Sequence, residues 1–282
     1  MVRGARLLVA GLLTASCAHQ PAAPAAPSPR TCLVLSVGGP AGVAHIGAIR
    51  ALQEAKIPIR CVVGNSIGAL VGGLFASAPS EDPDVRFERL IADYMEETER
   101  DGHRGLANGA VYLTSGRAGV LKRIGLINYD RFHRTLKNFL GTLRIEDLSL
   151  SFTTFYVEGT TTGVTMEKVE GGLLADEVAR SIANPLIFPG LSIKAGSALD
   201  AGADRMSAIP VEDACKLFPD ATLVAINVTG EPIVTTAAMK CPIREVRIDH
   251  PQVAAQDAFL PGPIHDDLVR AGLTATRAAL AR

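Results

Sequence analysis

Arg60-Cys61-Val62-Val63-Gly64-Asn65-Ser66-Ile67-Gly68-Ala69-Leu70 is the stretch whose reading decides the fold. It opens as a short apolar run of the kind found in strands buried on both faces of a parallel sheet. The run passes directly into Gly64. From 67 to 78 the chain is small and apolar all round, with Gly68, Gly72 and Gly73, as expected of a helix packed inside a protein. A strand that turns into a helix within three residues, with glycines on either side of a serine, is the geometry of a nucleophile elbow. The glycines remove side chains where the turn packs closest, and the helix N-terminus favours negative charge beside the hydroxyl. Ser66 is therefore the candidate nucleophile, against a glycine-rich structural turn with an inert serine.

Working outward, residues 31–36 form a second apolar run, followed by the loop Val37-Gly38-Gly39-Pro40-Ala41-Gly42. Val43, Ile46, Ile49 and Leu52 then recur at helical spacing until Ile57-Pro58 stops the pattern. Strand, loop, helix, strand, turn, helix in so short a span is a βαβ unit, which implies a parallel sheet with helices on both faces. The expected class is α/β, a three-layer α/β/α arrangement around a mainly parallel central sheet.

Further along, residues 82–100 read as an acidic amphipathic helix with Val85, Leu90, Ile91 and Met95 on its apolar side. Residues 101–147 are basic, carrying Arg104, Arg117, Lys122, Arg123, Arg131, Arg134, Lys137 and Arg144. They read as solvated helix faces or as a patch meeting anionic headgroups. Residues 152–157 and 164–169 suggest a hairpin, 177–183 a short helix, 223–228 and 246–248 strands, and 266–281 a closing helix.

With 282 residues, 48% apolar and 20% charged, the chain can bury a full core in one α/β domain, assigned to 31–282. The net charge of -1 argues against nucleic acid as the main partner, because no global positive field is available to meet phosphates. Residues 1–17 have Arg3 and Arg6 before the apolar stretch 7–13, then small residues ending at Cys17. That is too short to span a bilayer and reads as a secretory signal. Leu13-Thr14-Ala15-Ser16-Cys17 resembles a bacterial lipobox, which makes Cys17 the expected lipidation site, with plain signal cleavage or an ordinary start helix as alternatives. Residues 18–30, rich in Pro and Ala, read as an extended tether to a membrane surface. Export to a bacterial envelope follows, and Ala18-His19 after the cysteine, rather than an aspartate, resembles lipoproteins sent to an outer membrane.

No CxxC pair occurs among Cys32, Cys61, Cys215 and Cys241, so no zinc site is expected. Cys32 and Cys61 each sit in a strand-like run and read as small apolar fillers. Export permits a disulfide, and Cys215 with Cys241 is the pair favoured.

A serine ester mechanism also needs donors for a tetrahedral oxyanion. The backbone N–H groups of Gly38 and Gly39 end the strand expected beside that of Ser66, whereas Pro40 has no N–H to give. A dinucleotide loop is the weaker reading: the GxGxxG spacing is incomplete and no acid ends the second strand. No cofactor is expected.

Ser36-Val37-Gly38-Gly39-Pro40-Ala41-Gly42 and Gly64-Asn65-Ser66-Ile67-Gly68 resemble the glycine-rich opening and the nucleophile elbow of patatin-like phospholipases. Leu199-Asp200-Ala201-Gly202 with Ile209-Pro210-Val211 is similar to that family's aspartate motif. Ser181-Ile182-Ala183-Asn184-Pro185 and Phe188-Pro189-Gly190 match the segment before it. The resemblance covers roughly residues 31–215. It implies a Ser66-Asp200 dyad without histidine, an oxyanion hole at the glycine loop, no metal, and acyl esters of phospholipids or related lipids as substrates.

The chain departs from the family pattern at Val37, where a loop glycine is usual, at Ala41, where Arg or Lys is usual, and at Ala201, where glycine follows the aspartate. These departures leave open a non-catalytic lipid-binding or envelope-scaffolding lipoprotein. A triad with His250 or His265 also remains open, since Ser, Asp, His is the chain order of α/β-hydrolases. Asp200 could instead be a surface turn residue near Asp204. His45, inside the first helix, reads as structural, and His19, His103 and His133 carry no supporting context.

Overall fold

In the computed structural model, successive residues of the first strand, β1 (Arg30–Leu35), point into different cores. Leu33 and Leu35 join a large helical cluster, while Cys32 and Val34 join a smaller one on the opposite face. That alternation is the pleat of a strand covered on both sides. The described residues are 30–100, 110–114, 121–125, 128–159, 164–185, 187–188, 197–203, 208–250 and 253–282. The expected leader at 1–17 with Cys17, the stretch read as a tether, His19, His103, Arg104, Arg117, Pro189-Gly190 and Asp204 lie outside them.

After β1 come α1 (Ala44–Glu54), β2 (Ile59–Gly64), α2 (Ile67–Ser77) and α3 (Pro83–Arg100), in the order the βαβ pattern requires. A two-stranded ribbon, β3 (Ala110–Thr114) with β4 (Leu121–Gly125), precedes α4 (Tyr129–Leu140). The hairpin β5 (Ser151–Gly159) and β6 (Val164–Val169) leads into α5 (Leu174–Ser181) and the short β7 (Ala198–Asp200). The chain closes with α6 (Val211–Leu217), β8 (Ala221–Asn227), β9 (Ile243–Arg247), α7 (Ala255–Phe259) and α8 (Pro263–Leu280).

The main sheet runs β6-β5-β2-β1-β8-β9, parallel from β5 to β9 and antiparallel at β6. The expected α/β layering with a mainly parallel sheet is the one observed, but helices flank it unequally. The large cluster draws on α1, α2, α3, α4, α5, α7 and α8, whereas the opposite face is covered by α6 and by residues such as Ile233 and Met239 from the connection between β8 and β9.

Strand β5 organises the site. Its residues 151–153 pair in parallel with β2, and its residues 156–158 pair antiparallel with β7, while β6 occupies the other edge. So β2 and β7 run toward each other along one edge of β5. The end of β2, entering the serine turn, meets the end of β7 at Asp200.

Two expectations need correction. Cys32 and Cys61 are not free apolar fillers: they are partners in the β1–β2 register, with Cα atoms 4.6 Å apart, and are joined as a disulfide. Parallel register puts both side chains on one face, which spacing along the chain does not reveal. Cys215 and Cys241 are joined as well, as favoured. Val85 is 49% exposed, and the apolar face of α3 is instead carried by Phe87, Leu90, Ile91 and Tyr94. Two residues before Phe87 amount to about 200° of helical rotation, which turns Val85 to solvent. Of the described part of the basic stretch, Arg131 is buried, while Arg134, Lys137 and Arg144 are exposed, the last two pairing with Asp176 (3.0 Å) and Glu146 (2.6 Å), which agrees with the reading as solvated faces. Among the described residues no helix is long and apolar enough to cross a membrane.

Candidate active site

Ser66 occupies the turn between β2 and α2 with φ 54 and ψ -127, a conformation that side-chain-bearing residues rarely adopt. The glycines on either side make the turn possible. A Cβ on Gly68 would sit 2.6 Å from the Leu35 carbonyl oxygen, and one on Gly64 would strike the backbone of Gly68 itself. The helix therefore presses directly on the end of β1, and the serine is lifted at the close of that contact.

The Ser66 hydroxyl donates to Asp200 Oδ2 at 2.5 Å. Asp200 Oδ1 accepts from the Gly202 N–H at 2.7 Å, so one oxygen is anchored and the other meets the serine. The Asn184 side chain also hydrogen-bonds the carboxylate. Ser66 is 5% and Asp200 3% exposed, which excludes the reading of Asp200 as a surface turn residue. Burial pushes the Asp200 carboxyl up to about 6, with hydrogen bonds from Ser66, Gly202 and Asn184 pulling the other way. A carboxylate so poised is a better proton acceptor near neutrality than an ordinary one.

Histidines sit elsewhere. His265 is buried with Nδ1 on the Ala258 carbonyl (2.7 Å) and Nε2 on Asp84 (2.8 Å). Both nitrogens face acceptors, which requires an imidazolium, and its pKa is raised: burial opposes the charge, but Asp84 and the Ala258 carbonyl outweigh it. His250 Nε2 bonds the Val228 carbonyl at 2.7 Å, and His133 bonds Asp176 at 2.6 Å. His45 is fully buried, with Nε2 2.9 Å from the Ser36 carbonyl, and burial lowers its pKa to about 4, so it is a neutral ring that ties α1 to the end of β1. That agrees with its structural reading. Asp84, Glu88 and His265 are the one described group whose arrangement could hold a cation. Arg50 already meets the same Asp84 carboxylate at 2.8 Å, so that cluster carries its own positive charge.

The glycine loop lies where the sequence put it, at the end of the strand beside β2. Gly38 packs its bare Cα against Val228, and Gly39, with φ +53, lines the cleft next to Ser66. Val37 donates its N–H to the Ala208 carbonyl (2.8 Å) and packs beside Gly202, so its side chain fills space next to the aspartate turn. Ala201 is fully buried without a positive φ; among described non-glycine residues only Lys56 and Ser66 have one. Alanine therefore sits in this turn without the strain that a positive φ would impose. Ala41 is likewise a buried apolar residue.

Beside Ser66 runs an apolar cleft walled by Leu70, Phe132, Ile182, Ile187, Phe188 and Phe259. Its free volume is about 30 Å³, so a longer apolar group could enter only as those side chains move apart.

Three residues given no role from the sequence also bear on the site. Ser181 Oγ accepts from the Ser66 N–H (3.1 Å), Asn184 meets Asp200, and Asn65 Oδ1 accepts from the Phe155 N–H (3.1 Å) where β5 passes between its pairings with β2 and β7. Their signal was present in the matching blocks Gly64 to Gly68 and Ser181 to Pro185, but a motif does not say which atoms it joins.

Residues 33–214 match the family described as patatin-like phospholipase. A patatin-like phospholipase domain-containing protein of Caenorhabditis elegans is 34% identical over 120 residues, 43% of this chain and 8% of that protein. A lysophospholipase of Neurospora crassa is 35% identical over 124 residues, again 43% of this chain and 8% of that protein. The chain thus spans a small fraction of the curated relatives it matches. Among solved structures, VipD from Legionella pneumophila aligns with a TM-score of 0.43 at 15% identity, covering 91% of this chain and 67% of that one. The ExoU-SpcU complex from the type III secretion system of Pseudomonas aeruginosa aligns with a TM-score of 0.45 at 15% identity, covering 90% and 51%.

Proposed function

We propose, from the premise that this chain belongs to the patatin-like phospholipase family, that it is a serine acyl hydrolase cleaving carboxylic esters of phospholipids or related lipids. The observation that carries the reading is the direct Ser66-Asp200 hydrogen bond beside an apolar cleft. In this mechanism Ser66 Oγ attacks the acyl carbonyl as its proton passes to Asp200. The developing oxyanion is met by the N–H groups of Gly38 and Gly39. The ester bond breaks as Asp200 returns the proton to the departing alcohol. Water, deprotonated in turn by Asp200, attacks the acyl-Ser66 ester, and the fatty acid leaves as Asp200 returns that proton to Ser66 Oγ. Neither step needs a metal or cofactor.

The proposal extends to placement. Acylation of Cys17 and the tether at 18–30 would hold the domain at a bacterial envelope membrane, the outer one favoured, within reach of lipid substrate. The disulfides Cys32–Cys61 and Cys215–Cys241 support an oxidising compartment. Labelled palmitate should enter the parent and not Cys17→Ala.

A fluorophosphonate probe tests the chemistry. The expected result is an adduct at Ser66 and fatty-acid release from phospholipid vesicles or a short-chain nitrophenyl ester, both abolished in Ser66→Ala. A chain that neither labels nor hydrolyses would instead be the non-catalytic lipid-binding lipoprotein.

A further inference from the structure

Ser66 and Asp200 are held by one short piece of chain. Ser181, the last residue of α5 and fully buried, accepts the Ser66 N–H (3.1 Å) and also the Thr154 hydroxyl (2.8 Å). Two residues later the Ala183 carbonyl accepts the Asp200 N–H at 3.0 Å, and the Asn184 side chain bonds the Asp200 carboxylate. The piece is itself tied back: Ile182 N–H bonds the Val178 carbonyl, Ala183 N–H that of Arg180, and the N–H groups of Ile187 and Phe188 both meet the Asn184 carbonyl.

Two physical needs converge on it. A nucleophile with φ 54 keeps that conformation only where its surroundings over-determine it. Here the Ser66 N–H is committed to a buried side-chain oxygen and is turned away from any developing oxyanion. A base must also be oriented by a third group, a task that a histidine triad assigns to its carboxylate. A two-residue pair lacks that third member.

We propose that Ser181 to Asn184 form a positioning clamp that sets the separation and orientation of Ser66 and Asp200, Ser181 holding the nucleophile's backbone and Asn184 the carboxylate. The clamp rests on the reading of Ser66 as nucleophile and Asp200 as base. Ser181 touches no reacting atom in it, and Asn184 acts only through the carboxylate it bonds. Because Ile182, Ile187 and Phe188 line the cleft, the clamp and the cleft wall are one segment.

The test compares the parent with Ser181→Ala, Ser181→Thr, Asn184→Ala and, as a control on α5, Arg180→Ala, whose exposed side chain pairs with the buried Glu177 and bonds neither Ser66 nor Asp200. Substrate is a short-chain nitrophenyl ester, with rates normalised to folded protein. Ser181→Ala is expected to lower kcat about 10- to 100-fold at unchanged KM, with the fluorophosphonate labelling rate falling in step. Ser181→Thr should recover part of both, and Arg180→Ala should match the parent. Asn184→Ala should move the acid limb of the rate profile upward by about half a pH unit, since it removes a hydrogen bond to the charged carboxylate.

Should Ser181→Ala fail to fold, Thr154→Val, which removes the hydroxyl donating to Ser181, replaces it: a lower kcat at unchanged KM supports the clamp and an unchanged kcat overturns it. Parent-like kcat and labelling in Ser181→Ala, or an unmoved acid limb in Asn184→Ala, also overturns it. If Ser66→Ala and Asp200→Asn are silent in that case, only the clamp falls. If Ser66→Ala still hydrolyses the ester, the nucleophile assignment falls first.

Discussion

Ser66 Oγ donates directly to Asp200 Oδ2 at 2.5 Å across 134 residues of chain, and both residues are buried. No imidazole lies between the two side chains. Its position follows from β5, which accepts β2 and β7 on the same edge from opposite directions.

Asp200→Asn is expected to lower kcat by about 10³-fold and yet to raise stability at pH 7. The folded carboxyl has its pKa raised from 3.8 to about 6, so the native state binds more protons than the unfolded chain in that window. Stability then falls as pH rises through it, by about 3 kcal/mol in order of magnitude, and stays at the lower value above. Melting temperatures of parent and variant should diverge above pH 6 and converge near pH 4. A variant less stable than the parent at pH 7 would show that the carboxylate holds the fold together.

The rate should carry the same group with the opposite consequence. Only the ionised carboxylate can take the serine proton, so kcat/KM should fall about tenfold per unit below a limb near 6 and level off above it. A profile flat from pH 4.5 to 7.5 would detach Asp200 from the chemistry.

Gly68→Ala is expected to cost about 1–3 kcal/mol in denaturant midpoint analysis, because its Cβ would meet the Leu35 carbonyl oxygen at 2.6 Å, and backbone cannot swing aside as a side chain can. The loss of activity per folded molecule should exceed the loss of stability. Equal losses would mean that α2 shifts without disturbing Ser66.

His250→Ala should hydrolyse ester at the parent's rate, whereas His265→Ala should chiefly lose stability. The raised pKa of His265 means that its contribution is fully present below pH 6.5 and fades as pH climbs through the folded value. The melting deficit of His265→Ala should thus be larger at pH 6 than at pH 9. A rate limb that vanishes in His250→Ala would restore the triad.

Much of this was legible along the chain because the deciding signals are local. Residues 60–70 carry strand, turn and helix within one another's reach, and Gly64 and Gly68 are glycines for reasons of contact within or just beyond that turn. The hairpin of β5 and β6 and the closing helix α8 were readable on the same grounds. Less was readable where partners come from afar. Cys32 and Cys61 are neighbours only once β1 and β2 lie in parallel register. Val85 was the member of its apolar pattern that the packing of α3 left in solvent, while Leu90, Ile91 and Met95 met the core. The short strand β7 carries no periodicity over its three residues, and it exists because β5 offers an edge there.

Ser66 and the glycine loop could be named from the amino-acid sequence alone, since an elbow and its glycines are written in contiguous residues whose chemistry is local, and Asp200 could be named only through the resemblance of its block to a family motif. The sheet order, the direct contact of Ser66 with Asp200, the commitment of His265 elsewhere and the grip of Ser181 and Asn184 were decided only by tertiary structure. Each of them depends on a distance between residues far apart in the chain, and such distances are set by which strands share an edge and which groups burial forces to find partners.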